Sequence, residues 1–349
     1  MTNDPSTKPG SDEIDFFELM RSLWAQKVMI LCTTLVVALG VTAYAFVSKP
    51  VYEARVYLLP PTLNGIADFN YGRTKDLELT PYTVKDVYDV FIRNLQSEAL
   101  HRAFFLEVYL PSLSEADRKG SQDLLYSKYL KKLTIGLPSK EQPDRYSVSV
   151  QDNDPARATE WVKTFTANAG IASKSEVITN VTREAEVRAR NIGQQISILR
   201  QTENGVRSDS ISRLQEALKV AQSIGLEEPP IIAGNVAAEV TATMDGQLTY
   251  MRGTKALSAE IKNLQDRKSN DPFIKNLRML EIKKFFYEDL QIDSSRVSVF
   301  RQDGSIEIPD EPIRPKKMLY IGLAVIGGLL LGLLIGLARY LWSLRRVLS

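Results

Sequence analysis

The residue types that most often perform catalysis or bind metal ions are scarce in this chain. Its 349 residues include one histidine, His101, and one cysteine, Cys32. His101 lies in an apolar helical stretch where the sequence places no nucleophile or carboxylate beside it, which favours a structural role over general base catalysis. No Cys, His and carboxylate cluster has metal-ligand spacing, and no G-x-x-x-x-G-K-[ST] phosphate loop occurs. We therefore expect a protein that is not an enzyme and has no cofactor.

The most specific spacing in the chain concerns packing instead of catalysis. Small residues recur at every fourth position near the C-terminus: Ala324, Gly328, Gly332 and Gly336. This spacing leaves a groove along one side of a helix, where the backbone of another helix can approach closely. Glycine is also common in membrane helices in general, but four small residues in register favour a packing face.

A proline segment comes directly before these small residues. Pro309, Pro312 and Pro315 are three residues apart, which favours a stiff polyproline II conformation with three residues per turn. Lys316 and Lys317 follow, and the simplest role for two lysines at this position is to anchor the chain at lipid headgroups. The sequence predicts a rigid connection between a folded domain and the helix that follows.

Two uncharged apolar stretches, 28–47 and 318–338, are each long enough to cross a hydrocarbon core about 30 Å thick as a helix. Ala43-Tyr44-Ala45 resembles a signal-peptide cleavage site. However, the apolar stretch is long for a signal peptide and is preceded by 27 residues, so we interpret it as an uncleaved anchor.

Two spans place both tails, 1–27 and 339–349, on one side of the membrane and the loop between them on the other. We expect a short interfacial helix in the first tail, capped by Ser11 and with Trp24 at the headgroups; the alternative is that this stretch forms the frayed first turns of the span. Lysines and arginines are balanced on the two sides, so charge does not orient the chain. The second tail is too short for a kinase or other output domain.

The loop divides into two patterns. Residues 48–154 and 291–317 alternate short strands with helices and predict a membrane-proximal α/β base, in which the strands include YEARVYLL, KLTIGL, RYSVSVQ, RVSVF and SIEI. Residues 155–290 predict a long helical, coiled-coil-like arm, because apolar residues from Ala158 to Leu199 step by three, four and seven. The first arm helix extends to Ser223 unless Asn204-Gly205 kinks or ends it. The expected fold class is an α+β membrane protein.

Charge excludes one class of partner. The net charge of the whole chain is +2, and the loop between the spans is nearly neutral. A surface this close to neutral is a poor binder of polyelectrolytes, so we expect no nucleic-acid partner.

Several segments, in this order, resemble the Wzz polysaccharide chain-length determinants, which are polysaccharide co-polymerases. They are DEIDFFELMRSLWAQK, YEARVYLLPP, VFIRNLQSEALHRAFF, LTYMRGTKALSAEIKNLQDRKSNDPFI and PDEPIRPKK with the glycine-rich span. The resemblance covers nearly the whole chain. The family pattern has Ser-Pro-Lys where this chain has Arg314-Pro315-Lys316.

The resemblance implies an inner-membrane protein with a periplasmic loop and both termini in the cytoplasm. It also implies a homo-oligomer that sets the modal length of O-antigen made by a Wzy-type polymerase, with the growing lipid-linked polysaccharide as a further candidate partner. Two other functions remain as alternatives: a two-span periplasmic sensor, and an export adaptor without catalytic activity. The sensor would need an output domain, and the adaptor would need a β module between its helices, for which residues 229–246 are too few.

Overall fold

The computed structural model describes residues 16–230, 246 and 248–347 of the chain. Within them, a small antiparallel sheet and several helices lie between two helices that are long and apolar enough to cross a membrane. The mixed α+β class and the two membrane helices are as predicted. The expected N-cap Ser11 lies outside the described residues.

Four strands form one antiparallel sheet in the order β2-β3-β1-β4. Their bounds are β1 Tyr52–Leu59, β2 Leu133–Gly136, β3 Tyr146–Asp152 and β4 Arg301–Asp303. Strand β1 lies between β3 and β4, and Tyr52 is opposite Asp152 at one end of the β1–β3 pair. Every second residue of β1 is buried, at Ala54, Val56 and Leu58, as the alternating sequence predicts.

The helices are as follows: α1 Phe16–Ala25, α2 Lys27–Val47, α3 Val84–Leu95, α4 Glu98–Phe104, α5 Leu110–Ser112, α6 Glu115–Arg118, α7 Gln122–Lys132, α8 Pro155–Ser223, α9 Gly253–Asp266, α10 Leu277–Glu288 and α11 Lys317–Val347. A π-helical turn, Phe105–Tyr109, follows α4. Short 3-10 helices span Asn64–Ile66, Asp68–Asn70, Thr249–Arg252 and Asp271–Phe273. A turn at Gln26 separates α1 from α2.

The long helix predicted from Pro155 is continuous. Helix α8 has 69 residues, a length of about 100 Å, and Asn204-Gly205 does not interrupt it. The carboxylate of Asp154 accepts a hydrogen bond from the backbone N–H of Ala156 at 2.9 Å, which caps the first turn. The neighbouring Asn153 instead donates its side-chain amide to the carbonyl of Pro50 at 2.7 Å.

Two local predictions were wrong. The apolar residues of 83–105 recur at helical spacing and predict one helix, but the stretch forms two, because Ser97 ends the first and caps the second by accepting from the N–H of Leu100 at 3.2 Å. The strands predicted at RVSVF and SIEI do not form; the strand in this region is β4. Val299 is buried and the Phe300 ring stacks on Phe91 at 4.3 Å between centroids, so the alternating apolar residues of RVSVF serve packing and not strand pairing.

The part of the chain that the structure describes folds as two compact units, whose bounds along the sequence are as follows. The first contains 1–62, 88–173 and 298–349, and the second contains 63–87 and 174–297. The boundaries that the sequence suggests for a base and an arm stay a prediction.

The first unit has an aromatic core beside the sheet. Tyr129 is fully buried, and a group of rings surrounds it: Phe104, Phe105, Tyr109 and Tyr126. Trp161 and Phe165 of α8 pack on Phe104 edge to face. Edge-to-face aromatic pairs contribute about 1 kcal/mol beyond the area they bury, so this cluster is a principal source of stability for the unit.

The second unit is organised around a buried arginine. Arg73 donates to the carbonyls of Phe69 and Thr80 at 3.0 and 2.7 Å, and to the carboxylate of Glu184 at 2.7 Å. Its guanidinium also lies over the ring of Tyr82, 4.3 Å from the centroid. A separate apolar cluster joins Leu214 and Ala221 of α8 to Leu257 and Ile261 of α9.

Candidate functional site at the membrane-proximal segment

Three of the sequence-predicted site residues, Pro312, Pro315 and Lys316, lie where the sheet meets the second membrane helix. A cleft of about 620 Å³ opens there, and we call it the basic cleft. It is lined by Glu53, Gln151, Pro312, Ile313, Arg314, Pro315, Lys316, Leu319 and Tyr320. Pro312, Pro315 and Lys316 were singled out by the sequence, whereas Pro309 is not among the lining residues.

The proline segment is tied to the start of strand β1. The backbone N–H of Val51 donates to the carbonyl of Arg314 at 3.0 Å, and the N–H of Ile313 donates to the carbonyl of Val51 at 2.8 Å. These two bonds join the chain entering the sheet from α2 to the chain leaving the sheet for α11.

The expected polyproline II conformation is wrong for this segment. Polyproline II has no internal hydrogen bonds and extends uniformly. Here the backbone bends at Asp310, Glu311, Ile313 and Pro315, and Arg314 pairs with Val51. The three-residue spacing of the prolines predicted a stiff polyproline II segment without internal hydrogen bonds, but the nearby edge of β1 offers backbone partners that such a segment would leave unused. The connection is therefore held by pairing and not by proline spacing alone.

Polar side chains form one wall of the basic cleft. The amide of Gln151 on β3 donates to Glu53 on β1 at 2.9 Å, and Arg55 also pairs with this carboxylate. The two residues face each other because β1 and β3 pair with Glu53 directly opposite Gln151. The charge of Glu53 is thus already compensated within the sheet.

The small residues lie on the face of α11 that packs against α2. Among residues 317–342, the buried ones are Ala324, Gly328, Gly332 and Gly336, which are the four that the sequence singled out. We call this contact the span seam. A Cβ added at Gly328 would lie 2.9 Å from the Cα of Thr34, and one added at Gly332 would lie 3.1 Å from the Cα of Ile30. The partner of the small-residue face is therefore the first membrane helix of the same chain.

The first membrane helix contacts the glycines of the span seam through Thr34 and Ile30. Thr34 bonds back to the carbonyl of Ile30 at 2.8 Å and Thr33 to that of Met29, which satisfies both hydroxyls inside the helix. At the N-terminal end of α2, the amide of Gln26 lies 3.5 Å from the carbonyl of Gly336. Close backbone approach of this kind is the principal source of helix association in lipid, where apolar burial between helices gains little.

Aromatic and hydroxyl side chains lie at the end of the spans that is nearer the sheet. Ser48 ends α2 by donating its N–H and its hydroxyl to the carbonyl of Tyr44 at 3.0 and 2.8 Å. The ammonium of Lys317 lies over the ring of Phe46, 4.5 Å from the centroid. Together with the Val51–Arg314 pairing, these contacts bring both spans to the sheet at one level.

His101 lies apart from this region, in the aromatic core. Its Nδ1 is 3.1 Å from the hydroxyl of Tyr129, and its ring is 5.0 Å from that of Phe165. Burial lowers the pKa of His101, which favours the neutral imidazole. Among the described residues no group of three His, Cys, Asp or Glu side chains could hold a metal ion.

Several lining residues were not found by sequence reasoning. Glu53, Gln151 and Tyr320 come together through strand pairing and the start of α11, and no local motif marks them. Thr33 and Thr34 carried a usable signal, because small and hydroxyl residues in a membrane helix indicate a packing face.

Comparisons with known proteins give a consistent result. Residues 12–107 match the model of the Wzz family, described as chain length determinant protein. The chain is 22% identical to the chain length determinant protein of Salmonella typhimurium, with 97% of each chain covered. It is also 22% identical to the ECA polysaccharide chain length modulation protein of the same organism, with 94% of this chain and 95% of the relative covered.

The fold has a close counterpart among solved structures. A full-length bacterial polysaccharide co-polymerase superposes with a TM-score of 0.69 at 20% identity, covering 95% of this chain and 99% of the other. At this identity the likeness concerns the fold. The chain therefore resembles the Wzz chain length determinants in its first part by the family model and over nearly its whole length by the curated relatives, and it shares the fold of this co-polymerase.

Proposed function

We propose that this chain regulates polysaccharide chain length, and that it sets the modal length of lipopolysaccharide O-antigen together with a Wzy-type polymerase. The observation that carries the proposal is the end-to-end similarity to the Salmonella chain length determinant protein, which covers 97% of both chains. The similarity spans both membrane helices and the whole domain between them. It favours this function over a two-span sensor or an export adaptor.

A deletion strain tests the proposal directly. On a silver-stained lipopolysaccharide gel, loss of the protein should replace a modal band cluster by a ladder weighted toward short chains. Expression of the full chain from a plasmid should restore the mode. An unchanged ladder in the deletion strain would contradict O-antigen regulation.

A second candidate function rests on the similarity to proteins that modulate the chain length of ECA polysaccharide. The same deletion strain distinguishes the two. A changed length distribution of that polysaccharide with an unchanged O-antigen ladder would favour the second candidate. The reverse result would favour the first.

The proposed topology places residues 48–317 in the periplasm and both tails in the cytoplasm of the inner membrane. Two helices long and apolar enough to span, near the two ends, support this arrangement. Alkaline phosphatase fusions test it: a fusion near Gly225 should be active and a fusion after Val347 inactive. The opposite pattern would reverse the orientation.

The proposed action involves no catalytic residue. The chain presents its surfaces to partners, which we propose are further copies of itself, the polymerase and the growing polysaccharide. An exposed apolar face of α10 supports self-association: Met279, Ile282 and Phe285 recur at spacings of three and are 57%, 64% and 69% exposed. Replacing His101 by leucine should leave length control intact in the protein that folds.

A further inference from the structure

The basic cleft carries positive charge that the protein itself does not neutralise. Arg314 and Lys316 line it and are exposed, and neither side chain has an ion-pair partner within the described part of the chain. Glu53 is the one acidic residue among the lining residues, and Arg55 and Gln151 already engage it. The cleft is therefore suited to an anion.

Helix α11 adds to this potential. It begins at Lys317, and the cleft is lined by Lys316, which directly precedes the helix, and by Leu319 and Tyr320 of its first turn. The N-terminus of a helix carries a partial positive charge, so a negative group beside the first turn is favoured. The guanidinium of Arg314 offers a planar fork that matches phosphate oxygens, and the ammonium of Lys316 offers a point charge.

The position of the cleft indicates what kind of anion would reach it. Its lower wall is the first turn of the apolar helix that would enter the membrane, with Leu319 and Tyr320 exposed there at 55% and 40%. A ligand in this position has its charged group beside Arg314 and Lys316 and apolar chains along α11. A lipid with a phosphate headgroup has both parts, whereas a soluble anion would use only the first.

We propose that the basic cleft binds the phosphate or diphosphate headgroup of a membrane lipid. The proposal rests on the membrane placement of α2 and α11, and it does not require that the protein controls O-antigen length. It deepens the proposed function, because a polysaccharide carried on a lipid phosphate would be held at the point where the sheet meets the membrane.

Binding to the full-length protein in detergent tests the inference. The probes are a polyprenyl diphosphate, the matching polyprenol and inorganic diphosphate, with dissociation constants measured by thermophoresis. The test variant is Arg314→Gln with Lys316→Gln. Lys49→Gln is the matched control. Lys49 is an exposed lysine two residues after the C-terminal end of α2, and it does not line the cleft.

We expect the polyprenyl diphosphate to bind at least tenfold more tightly than either other probe. The double variant should weaken this binding about fivefold for each charge removed, and Lys49→Gln should leave it within twofold. Equal weakening by Lys49→Gln would show general charge attraction and overturn the proposal. Equal binding of polyprenol or of inorganic diphosphate would overturn the phosphate part or the lipid part, respectively.

Two further measurements keep the test decisive. Thermal unfolding midpoints identify variants that fail to fold; in that case Lys316→Gln alone replaces the double variant. Lipopolysaccharide gels of the same variants report on length control separately. If the double variant loses lipid binding but still controls chain length, the assignment of the cleft stands. If the wild-type protein binds the lipid but its deletion leaves the lipopolysaccharide ladder unchanged, the assignment of the cleft also stands and the proposed function is refuted.

Discussion

At the residue scale, Asp152 shows how charge stabilises the base of the long helix. Its carboxylate is fully buried at the end of β3, and it accepts hydrogen bonds from Lys132 at 2.7 Å, from the Nε of Arg157 at 2.9 Å and from the N–H of Asp154 at 3.0 Å. Burial alone would raise the pKa of this carboxyl. The bonds from Lys132, Asp154 and Arg157 outweigh burial and hold the pKa of Asp152 below its ordinary value.

This shift predicts a pH-dependent contribution to stability. Because the unfolded chain binds a proton at Asp152 more readily than the folded chain does, the contribution is present above the unfolded pKa and is lost as pH falls through the folded pKa. Asp152→Asn should lower the free energy of unfolding by about 2 kcal/mol at pH 7, and the difference from wild type should shrink below about pH 4. Urea titrations followed by tryptophan fluorescence would measure it. A difference that does not change with pH would contradict the assigned cause.

Gly253 in the YMRG sequence carries a second residue-scale prediction. Its φ is +81°, and a Cβ there would lie 2.6 Å from the carbonyl oxygen of Glu227. The close approach lets the N–H of Thr254 donate to the carbonyl of Leu226 at 2.9 Å. Gly253→Ala should therefore destabilise the second unit by about 2 kcal/mol or more, measured by hydrogen exchange of α9 and the end of α8.

Gly205 provides the matched control for that substitution. It lies inside α8, where an added Cβ meets nothing within 4 Å. Gly205→Ala should stabilise the chain by about 1 kcal/mol, because alanine has the higher helix propensity. If both alanine variants shift stability in the same direction, the left-handed backbone and the close approach at Gly253 are not what requires glycine there.

At the element scale, the span seam makes Gly328 and Gly332 irreplaceable by large residues. Gly328→Leu would place a side chain where the backbones of α2 and α11 meet, and lipid offers no compensating apolar gain. We expect lower thermal stability in detergent and a broader polysaccharide length distribution, with the protein still inserted. Gly327→Leu is the control, since Gly327 is exposed and an added Cβ meets nothing within 4 Å. If the Gly328→Leu variant is as stable as the wild type and controls length normally, the glycines have no special role in packing.

The elements that could be predicted from the sequence are those determined by residues close together along the chain. The apolar spans, strand β1 and helix α8 follow from periodicity over many residues, and Asp154 marks the start of α8 by ordinary capping chemistry. The strand predicted at RVSVF failed because Phe300 stacks on a ring 209 positions earlier, at Phe91, a contact that alternation cannot reveal. The proline segment failed for the same reason, since its partner Val51 lies in the first part of the chain.

The candidate site was predictable in part. The spacing of Ala324, Gly328, Gly332 and Gly336 identified the buried face of α11, because small residues every fourth position define a helix face directly. The spacing carried no information about which helix covers that face. Likewise, Lys316 could be identified as a membrane-edge cation, but the cleft around it requires the pairing of Glu53 with Gln151 across two strands.

At the scale of the whole molecule, the two membrane helices and the sheet are fastened together at one level. The span seam packs α2 on α11, and the Val51–Arg314 pairing joins the two chain segments that leave them. The first unit therefore presents its sheet at a fixed height above the spans. Under the proposed function, fixed surfaces of this kind are what the chain presents to its partners, and repetition of the surface in a symmetric oligomer would multiply them.

The proposed self-association supplies the last prediction. Met279, Ile282 and Phe285 form a continuous exposed apolar face on α10, and covering such a face with a second copy would remove it from water. Ile282→Asp places a charge at its centre, where burial without a partner costs several kcal/mol. We expect smaller assemblies by light scattering in nanodiscs and a shift toward unregulated polysaccharide lengths. Leu137→Asp is the control, because Leu137 is 74% exposed on a loop of the first unit. Unchanged assembly size with Ile282→Asp would mean that copies associate through another surface.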